Sequence, residues 1–317
     1  MKGADWQNIH AMDRKYIRPG YLKKGDKAII VSPSGHIEGE FIDKAAATLE
    51  SWGLKVDVAE HAKGQFYRFS GTDRERLDDL QKAFDDPKAR LILCSRGGYG
   101  AARIITRLDF TKFKECPKWV AGYSDITAIH AAIQSQECMS LHCQMAKHLS
   151  LNDNNDKDIS LMRRVLFGEK TAYDIACHTL NCNGESSGIL RGGNLSVLYG
   201  MRGTPFDLPA GRENIILFIE DINERPYCID RIMQNLKAGG VLERLSGLIV
   251  GTFSGYEEDL SMGKDVYSMI AEAVSSYSYP VCFGFPVGHE GHNLPMICGA
   301  ETTMRVSEKG VRIELLP

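Results

Sequence analysis

The stretch Ala121-Gly-Tyr-Ser-Asp-Ile-Thr127 places a serine, Ser124, where an apolar strand pattern ends and a helical pattern begins. A strand–turn–helix elbow exposes a hydroxyl at the rim of a sheet and aims the next backbone N–H at a developing oxyanion. Gly122 permits a tight approach, and Asp125 suits the first turn of a helix. The full Gly-x-Ser-x-Gly elbow is absent, because Ile126 stands where the second glycine belongs. Serine is also a preferred helix N-cap. Nucleophile and cap are therefore the two readings of Ser124.

A serine nucleophile needs a base, and the base needs an orienting acid. Among nine histidines, His289 lies in Phe285-Pro-Val-Gly-His-Glu-Gly-His-Asn-Leu-Pro295, a Gly- and Pro-rich loop after the apolar run Val281–Gly284. Such a loop is a poor setting for a core side chain and a good one for function. His292 in the same loop and His36 after the first strand are rivals on sequence grounds. His130 and His142 sit among apolar residues and read as core histidines. For the acid, Glu220 closes the apolar run Ile215-Ile-Leu-Phe-Ile219 and is followed by Asp221. A strand-end carboxylate can hold an imidazole; it can equally be a polar residue leaving the sheet.

Arg96-Gly-Gly-Tyr-Gly100 is a glycine loop between a strand and a helix. Its exposed N–H groups suit an anion or a developing oxyanion. It matches neither Gly-x-Gly-x-x-Gly nor a P-loop, since Arg103 stands in the third-glycine position and no Gly-Lys-Ser/Thr follows. A bare sharp turn is the alternative. The groups Cys138/His142/Cys143 and Cys177/His178/Cys182 lack zinc-site spacing, so no metal is expected.

The elements that must position these residues follow a repeating pattern. Lys27–Ser32 reads as a buried strand, and Leu54–Val58, Arg90–Cys94 and Trp119–Tyr123 read as the second, third and fourth strands. Between them lie helical patterns at 39–52, stopped by Gly53, and after Thr72-Asp-Arg-Glu75, a capping-box signature. That second helix places Leu77, Leu80 and Phe84 on one face, and Asp125–Gln134 reads as a further helix. Strand, loop and helix in alternation predict a parallel sheet covered on both faces, with its active site at the carboxyl ends of the strands. The polar run Leu151–Asp158 marks a boundary, and a short helix follows at Leu161–Leu166. Beyond it come strands at Ile215–Ile219 and Gly247–Phe253, a helix at Tyr227–Ala238, and closing strands at Met304–Val306 and Val311–Leu315. Those last strands predict an antiparallel sheet or small barrel. The division read here is 1–155 for the α/β domain, 156–180 for a linker and 181–317 for a β-rich domain.

The 317 residues are 43% hydrophobic and 25% charged, the balance of a soluble globular protein. A net charge of −3 offers no basic field, so neither nucleic acid nor an anionic membrane is an expected partner. No apolar run reaches the ~18 residues of a membrane-spanning helix. The N-terminus lacks the apolar core of a signal peptide. Nine scattered cysteines, with no Cys-x-x-Cys pair, suit free thiols in the reducing cytoplasm.

Taken in order, Ser32-Pro-Ser-Gly35, Arg96–Arg103, Gly122-Tyr-Ser-Asp-Ile-Thr127, Glu220–Arg231 and Phe285-Pro-Val-Gly-His289 resemble the LD-carboxypeptidase family. The resemblance runs from about residue 17 onward and extends to the related microcin immunity serine peptidases. It implies a Ser124–Glu220–His289 triad, which decides the histidine rivalry for His289. It also implies a Rossmann-like N-terminal domain carrying the serine and a smaller β-rich, barrel-like C-terminal domain carrying the other two, often as a homodimer. One departure is Leu141-His-Cys-Gln-Met145, where the family pattern has Gly-Pro after the histidine.

The activity implied is removal of the terminal D-alanine from cytoplasmic muropeptide tetrapeptides in peptidoglycan recycling, through an acyl-enzyme and without a cofactor. Backbone N–H groups of Asp125 and Gly98 are the expected oxyanion donors. The substrate's free carboxylate calls for a cationic pocket, with Arg96, Tyr99, Arg191 and Arg225 as candidates; each arginine is equally readable as solvated or structural. A same-fold amidase giving immunity to a peptide–nucleotide antibiotic and a non-catalytic muropeptide-binding protein are the alternatives.

Overall fold

The computed structural model describes residues 16–151, 156–208 and 214–316. The unexplained N-terminus up to residue 15 and positions 152–155 of the polar run lie outside the described residues. In chain order, β1 (Lys27–Val31), α1 (Gly39–Ser51), β2 (Lys55–Val58), α2 (Asp73–Asp85), β3 (Ala89–Cys94), α3 (Thr111–Glu115), β4 (Trp119–Gly122), α4 (Thr127–Gln134) and β5 (Ser140–His142) alternate as the sequence predicts. The Thr72 capping box forms: Thr72 Oγ1 accepts Glu75 N–H at 3.3 Å, and Glu75 Oε2 accepts Thr72 N–H at 2.8 Å. Leu77, Leu80 and Phe84 are buried on one face of α2.

After α5 (Ala146–Ser150) and α6 (Lys157–Leu166) come β6 (Thr171–Ile175), β7 (Gly184–Asn194), α7 (Leu195–Gly200), β8 (Ile215–Ile222), α8 (Pro226–Ala238), β9 (Leu245–Ser254), α9 (Val266–Val274) and β10 (Val281–Phe283). The chain ends in β11 (Met296–Cys298), β12 (Glu301–Ser307) and β13 (Gly310–Leu316).

The first sheet runs β2-β1-β3-β4-β5-β11. Its first five strands are parallel, and the strand order reverses between β1 and β3. Ligands of open α/β sheets bind at the carboxyl ends beside such a reversal. The Ser32–Gly35 and Ser95–Gly100 loops flank it, and Ser124 follows the next strand. The second sheet runs β10-β9-β8-β7-β12-β13-β6, parallel over its first four strands and antiparallel over the rest. Its strand order is open, with β10 and β6 at the ends.

Two elements cross the division read from the sequence. β11, late in the chain, pairs antiparallel with β5 and so belongs to the first sheet. Its apolar Met296, Ile297 and Cys298 cover an edge that β5 would otherwise leave bare. β6, within the span read as a linker, pairs with β13. The two sheets also share a core. Leu91, Trp119 and Leu141 of the first cluster with Ile216, Phe218 and Ile249 of the second, together with Phe285 and Val287. Alternate residues of β3, Ile92 and Cys94, face a second cluster on the other side, so this strand is buried on both faces.

Candidate active site

β4 is buried throughout and ends at Gly122. A Cβ at Gly122 would stand 3.0 Å from Ile126 and 3.1 Å from Cys94, so glycine lets the turn close over the strand end. Ser124 then adopts φ 65°, left-handed for a non-glycine residue. That conformation costs about 1–2 kcal/mol and persists only where surrounding structure imposes it. The capping reading fails on geometry. The residues preceding the short 3₁₀ turn Ser124–Ile126 and α4 are Tyr123 and Ile126, and neither turn has a side-chain cap. Among the described residues Ser124 Oγ has no hydrogen-bond partner.

The neighbouring loops are bound to this elbow. Asp125, 3% exposed, accepts Ser34 Oγ–H at 2.6 Å and Ala101 N–H at 2.8 Å on one oxygen. Burial raises its carboxyl above the ordinary range, against the pull of those donors. The buried Arg76 braces the same loops from beneath, donating to the carbonyls of Gly100 (3.0 Å) and Pro33 and to Asp73 (2.6 Å). Of the two central glycines, Gly97 is the one against the serine. A Cβ there would lie 2.7 Å from Ser124 Cβ and 3.0 Å from its Oγ. Gly98, the sequence candidate, has φ 100° and packs beside Gly35.

Glu220 is fully buried within β8, in register with Asn194 of β7. Its Oε2 lies 2.7 Å from His289 Nδ1, and its Oε1 has no partner. The loop carrying His289 reaches β8 through Gly288 (φ 141°), where a Cβ would collide with Thr252 Oγ1. With Nδ1 engaged by Glu220, Nε2 is the nitrogen left to exchange a proton. The His289 ring stands 4.9 Å from the ring of Tyr123, the residue before Ser124. No direct bond joins Nε2 to Ser124 Oγ among the described residues; such contacts tighten when substrate binds.

The other histidines separate cleanly. His292 is 63% exposed at its side chain and pairs with Asp158 at 3.1 Å. His36 Nδ1 bonds the Gly64 carbonyl at 2.8 Å. His130 and His142 are buried, and burial lowers them to about 4 and about 3. The nine cysteines are free thiols. Among the described residues the one group with metal-ligand proximity is Glu60, His61 and Asp79. Within it both Asp79 oxygens face His61, one accepting its backbone N–H at 2.8 Å and one 3.0 Å from its Nδ1, and Glu60 Oε2 accepts from Lys82 at 3.1 Å.

The candidate substrate contacts divide. Arg96 lies exposed on the site's rim, one Nη donating to the His36 carbonyl at 2.8 Å. Tyr99 is 44% exposed, with the Arg68 guanidinium 5.5 Å from its ring centre. Arg191 is 6% exposed and bonds the Tyr16 hydroxyl, an interior brace. Arg225 precedes α8, exposed, 3.4 Å from Tyr227 Oη. Arg68 escaped sequence reasoning. Its signal was Phe66-Tyr-Arg-Phe69, an aromatic and cationic run just beyond a strand's carboxyl end. Also missed was the tie between sheets. Thr127 Oγ1 accepts Asn194 N–H at 3.0 Å, and Asn194 Nδ2 donates to Asp221 at 2.9 Å. Burial lifts Asp221 to about 6.

Two family models match the chain. The LD-carboxypeptidase N-terminal domain covers residues 29–143, and the LD-carboxypeptidase C-terminal domain covers residues 187–304. The chain belongs to the LD-carboxypeptidase family. It is 33% identical over 306 residues to a probable murein peptide carboxypeptidase of Bacillus subtilis, covering 94% of each chain. Its fold matches a muramoyltetrapeptide carboxypeptidase from Oxalobacter formigenes with a TM-score of 0.84 and 26% identity, over 92% of this chain and 99% of that one. It also matches the microcin C7 self immunity protein MccF, solved with aspartyl sulfamoyl adenosine, with a TM-score of 0.82 and 20% identity, over 93% and 98%. As an LD-carboxypeptidase family member the protein is a hydrolase of the serine carboxypeptidase type. No helix among its described residues is long and apolar enough to cross a membrane.

Proposed function

We propose that this LD-carboxypeptidase family member removes the terminal D-alanine from murein tetrapeptides through an acyl-enzyme on Ser124. The observation that carries the reading is the 2.7 Å Glu220–His289 bond, set beside a serine held at φ 65°. Neutral His289 takes the Ser124 proton on Nε2 as the oxygen attacks the scissile carbonyl. Glu220 orients the imidazole and stabilises the imidazolium without taking the proton. In this reading the oxyanion donors are the backbone N–H groups of Asp125 and of the Gly97–Gly98 turn, the turn that lies against Ser124; such a donor contributes about 3 kcal/mol. The imidazolium then protonates the leaving amine, and water, deprotonated by the same histidine, cleaves the ester. Arg96, beside Tyr99, offers charge for the free carboxylate of the departing residue.

The free thiols suit work in the cytoplasm, on fragments recycled from the wall, with a homodimer as the acting unit. Release of D-alanine from a purified tetrapeptide tests the activity, and Ser124→Ala must abolish it. Near-normal turnover by that variant would sink the nucleophile assignment.

The likeness to MccF favours a second reading, an amidase conferring immunity to a peptide–nucleotide antibiotic, on grounds of fold alone. Comparing hydrolysis of the tetrapeptide with that of aspartyl sulfamoyl adenosine separates the two. Covalent labelling of Ser124 by a fluorophosphonate separates both from a non-catalytic binding protein.

A further inference from the structure

A buried pair that the mechanism above does not use ties the His289 loop to the Ser124 sheet. Asn293 is 2% exposed. Its Oδ1 lies 3.2 Å from Gly288 N and 3.1 Å from His142 Nε2. The Gly288 N–H can only donate, so the amide atom facing it is the oxygen and not the NH2 group. The same oxygen faces His142, so that imidazole carries its proton on Nε2. Burial keeps the ring neutral, at about 3, in keeping with a single N–H. From its backbone N–H, Asn293 also donates to Asp158 at 2.8 Å.

The ends of this tie matter. His142 stands beside Gly122 in the β4–β5 register, two residues before Ser124. Gly288 immediately precedes His289. The bond therefore spans from the strands that present the nucleophile to the loop that presents the base. The Glu220–His289 bond cannot do this, because Glu220 belongs to the other sheet. The β5–β11 ladder begins at His142 opposite Met296, so the tie sits where paired backbone gives way to loop. The His142 ring is packed edge-on to Phe218 at 5.1 Å and lies 5.7 Å from Tyr123.

We propose that the His142–Asn293 hydrogen bond sets the distance between His289 and Ser124, which makes these two positioning residues for the proton transfer. This rests on the Ser124–His289 reading above.

The test uses the full-length protein and two readouts. One is the rate at which a fluorophosphonate labels Ser124, which reports an activated serine whatever the natural substrate is. The other is kcat and KM for D-alanine release. His142→Phe keeps a ring and removes the donor, whereas His142→Gln keeps a donor of similar reach. His142→Phe and Asn293→Ala are each expected to slow labelling and kcat about ten- to hundredfold, with KM within about twofold. His142→Gln recovers most of the rate, and the double variant is no slower than either single one.

Folded variants that label at the wild-type rate overturn the proposal. So does His142→Gln as slow as His142→Phe, which would make the role one of packing. Where His142→Phe does not fold, Asn293→Ala against Asn293→Asp carries the same test, since aspartate keeps the acceptor oxygen. Wild-type protein labelled at Ser124 that releases no D-alanine removes the substrate reading and leaves this comparison intact. Wild-type protein that resists labelling at Ser124 removes both.

Discussion

Glu220 Oε2 lies 2.7 Å from His289 Nδ1, a bond between a carboxylate with no solvent exposure and an imidazole at the mouth of a loop. A buried carboxylate with a single partner commits that partner to one orientation and one tautomer. Replacing Glu220 with Gln keeps the volume and removes the charge. We expect Glu220→Gln to lower kcat for D-alanine release about 10³–10⁴-fold, as loss of the orienting acid does in serine triads. A loss below tenfold would show that Glu220 is structural.

Ser124 offers a test that separates backbone from hydroxyl. Ser124→Ala and Ser124→Gly both lose the hydroxyl proposed as nucleophile and should both be inactive. Only glycine relieves the φ 65° conformation. Ser124→Gly should therefore unfold at higher denaturant than Ser124→Ala, by about 1 kcal/mol. Equal midpoints would show that the elbow holds no strain.

Gly97 has no side chain because the serine occupies that space. A methyl group there meets Ser124 Cβ at 2.7 Å and its Oγ at 3.0 Å. Gly97→Ala should lower kcat/KM by about 100-fold through displacement of the hydroxyl. Gly98→Ala is strained for a different reason, its φ of 100°, and should show its loss in thermal stability as well.

Acid should destabilise the fold through its buried histidines. In the folded chain His130, His142 and His148 are lowered by burial to about 4, about 3 and about 4, against 6.5 ordinarily. Between those values and 6.5 the unfolded chain binds more protons, so their contribution is present above pH 6.5 and is lost as pH falls. Asp221 has the opposite sign. Its carboxyl is raised by burial to about 6 from 3.8, so its contribution is present at low pH and lost as pH rises through 6. The melting temperature should fall from pH 6.5 to pH 4. His130→Gln, which keeps a donor for the Gly122 carbonyl 2.8 Å away, should flatten that fall, and Asp221→Asn should steepen it.

Local order was legible in the sequence wherever a short pattern carries its own energy. The Thr72–Glu75 capping box, Gly53 after α1 and the buried runs of β1, β3 and β4 all stand where the patterns put them. These signals need only neighbouring residues, so a linear reading finds them. Ser124, Glu220 and His289 were legible singly as residues at strand ends and in a glycine-rich loop. That the three act as a triad is what the family resemblance implies, because nothing local says that residues 220 and 289 meet.

Tertiary structure alone decided the rest. It put Gly97 rather than Gly98 against Ser124, a matter of one residue's path in a loop. It returned Met296–Cys298 to the first sheet, because an unpaired β5 edge outweighs sequence proximity to β12. It turned Arg191 inward to Tyr16 and made His142 and Asn293 partners across 151 residues. Hydrophobic period reveals which face of an element is buried; which other face covers it depends on long-range packing that no local pattern encodes.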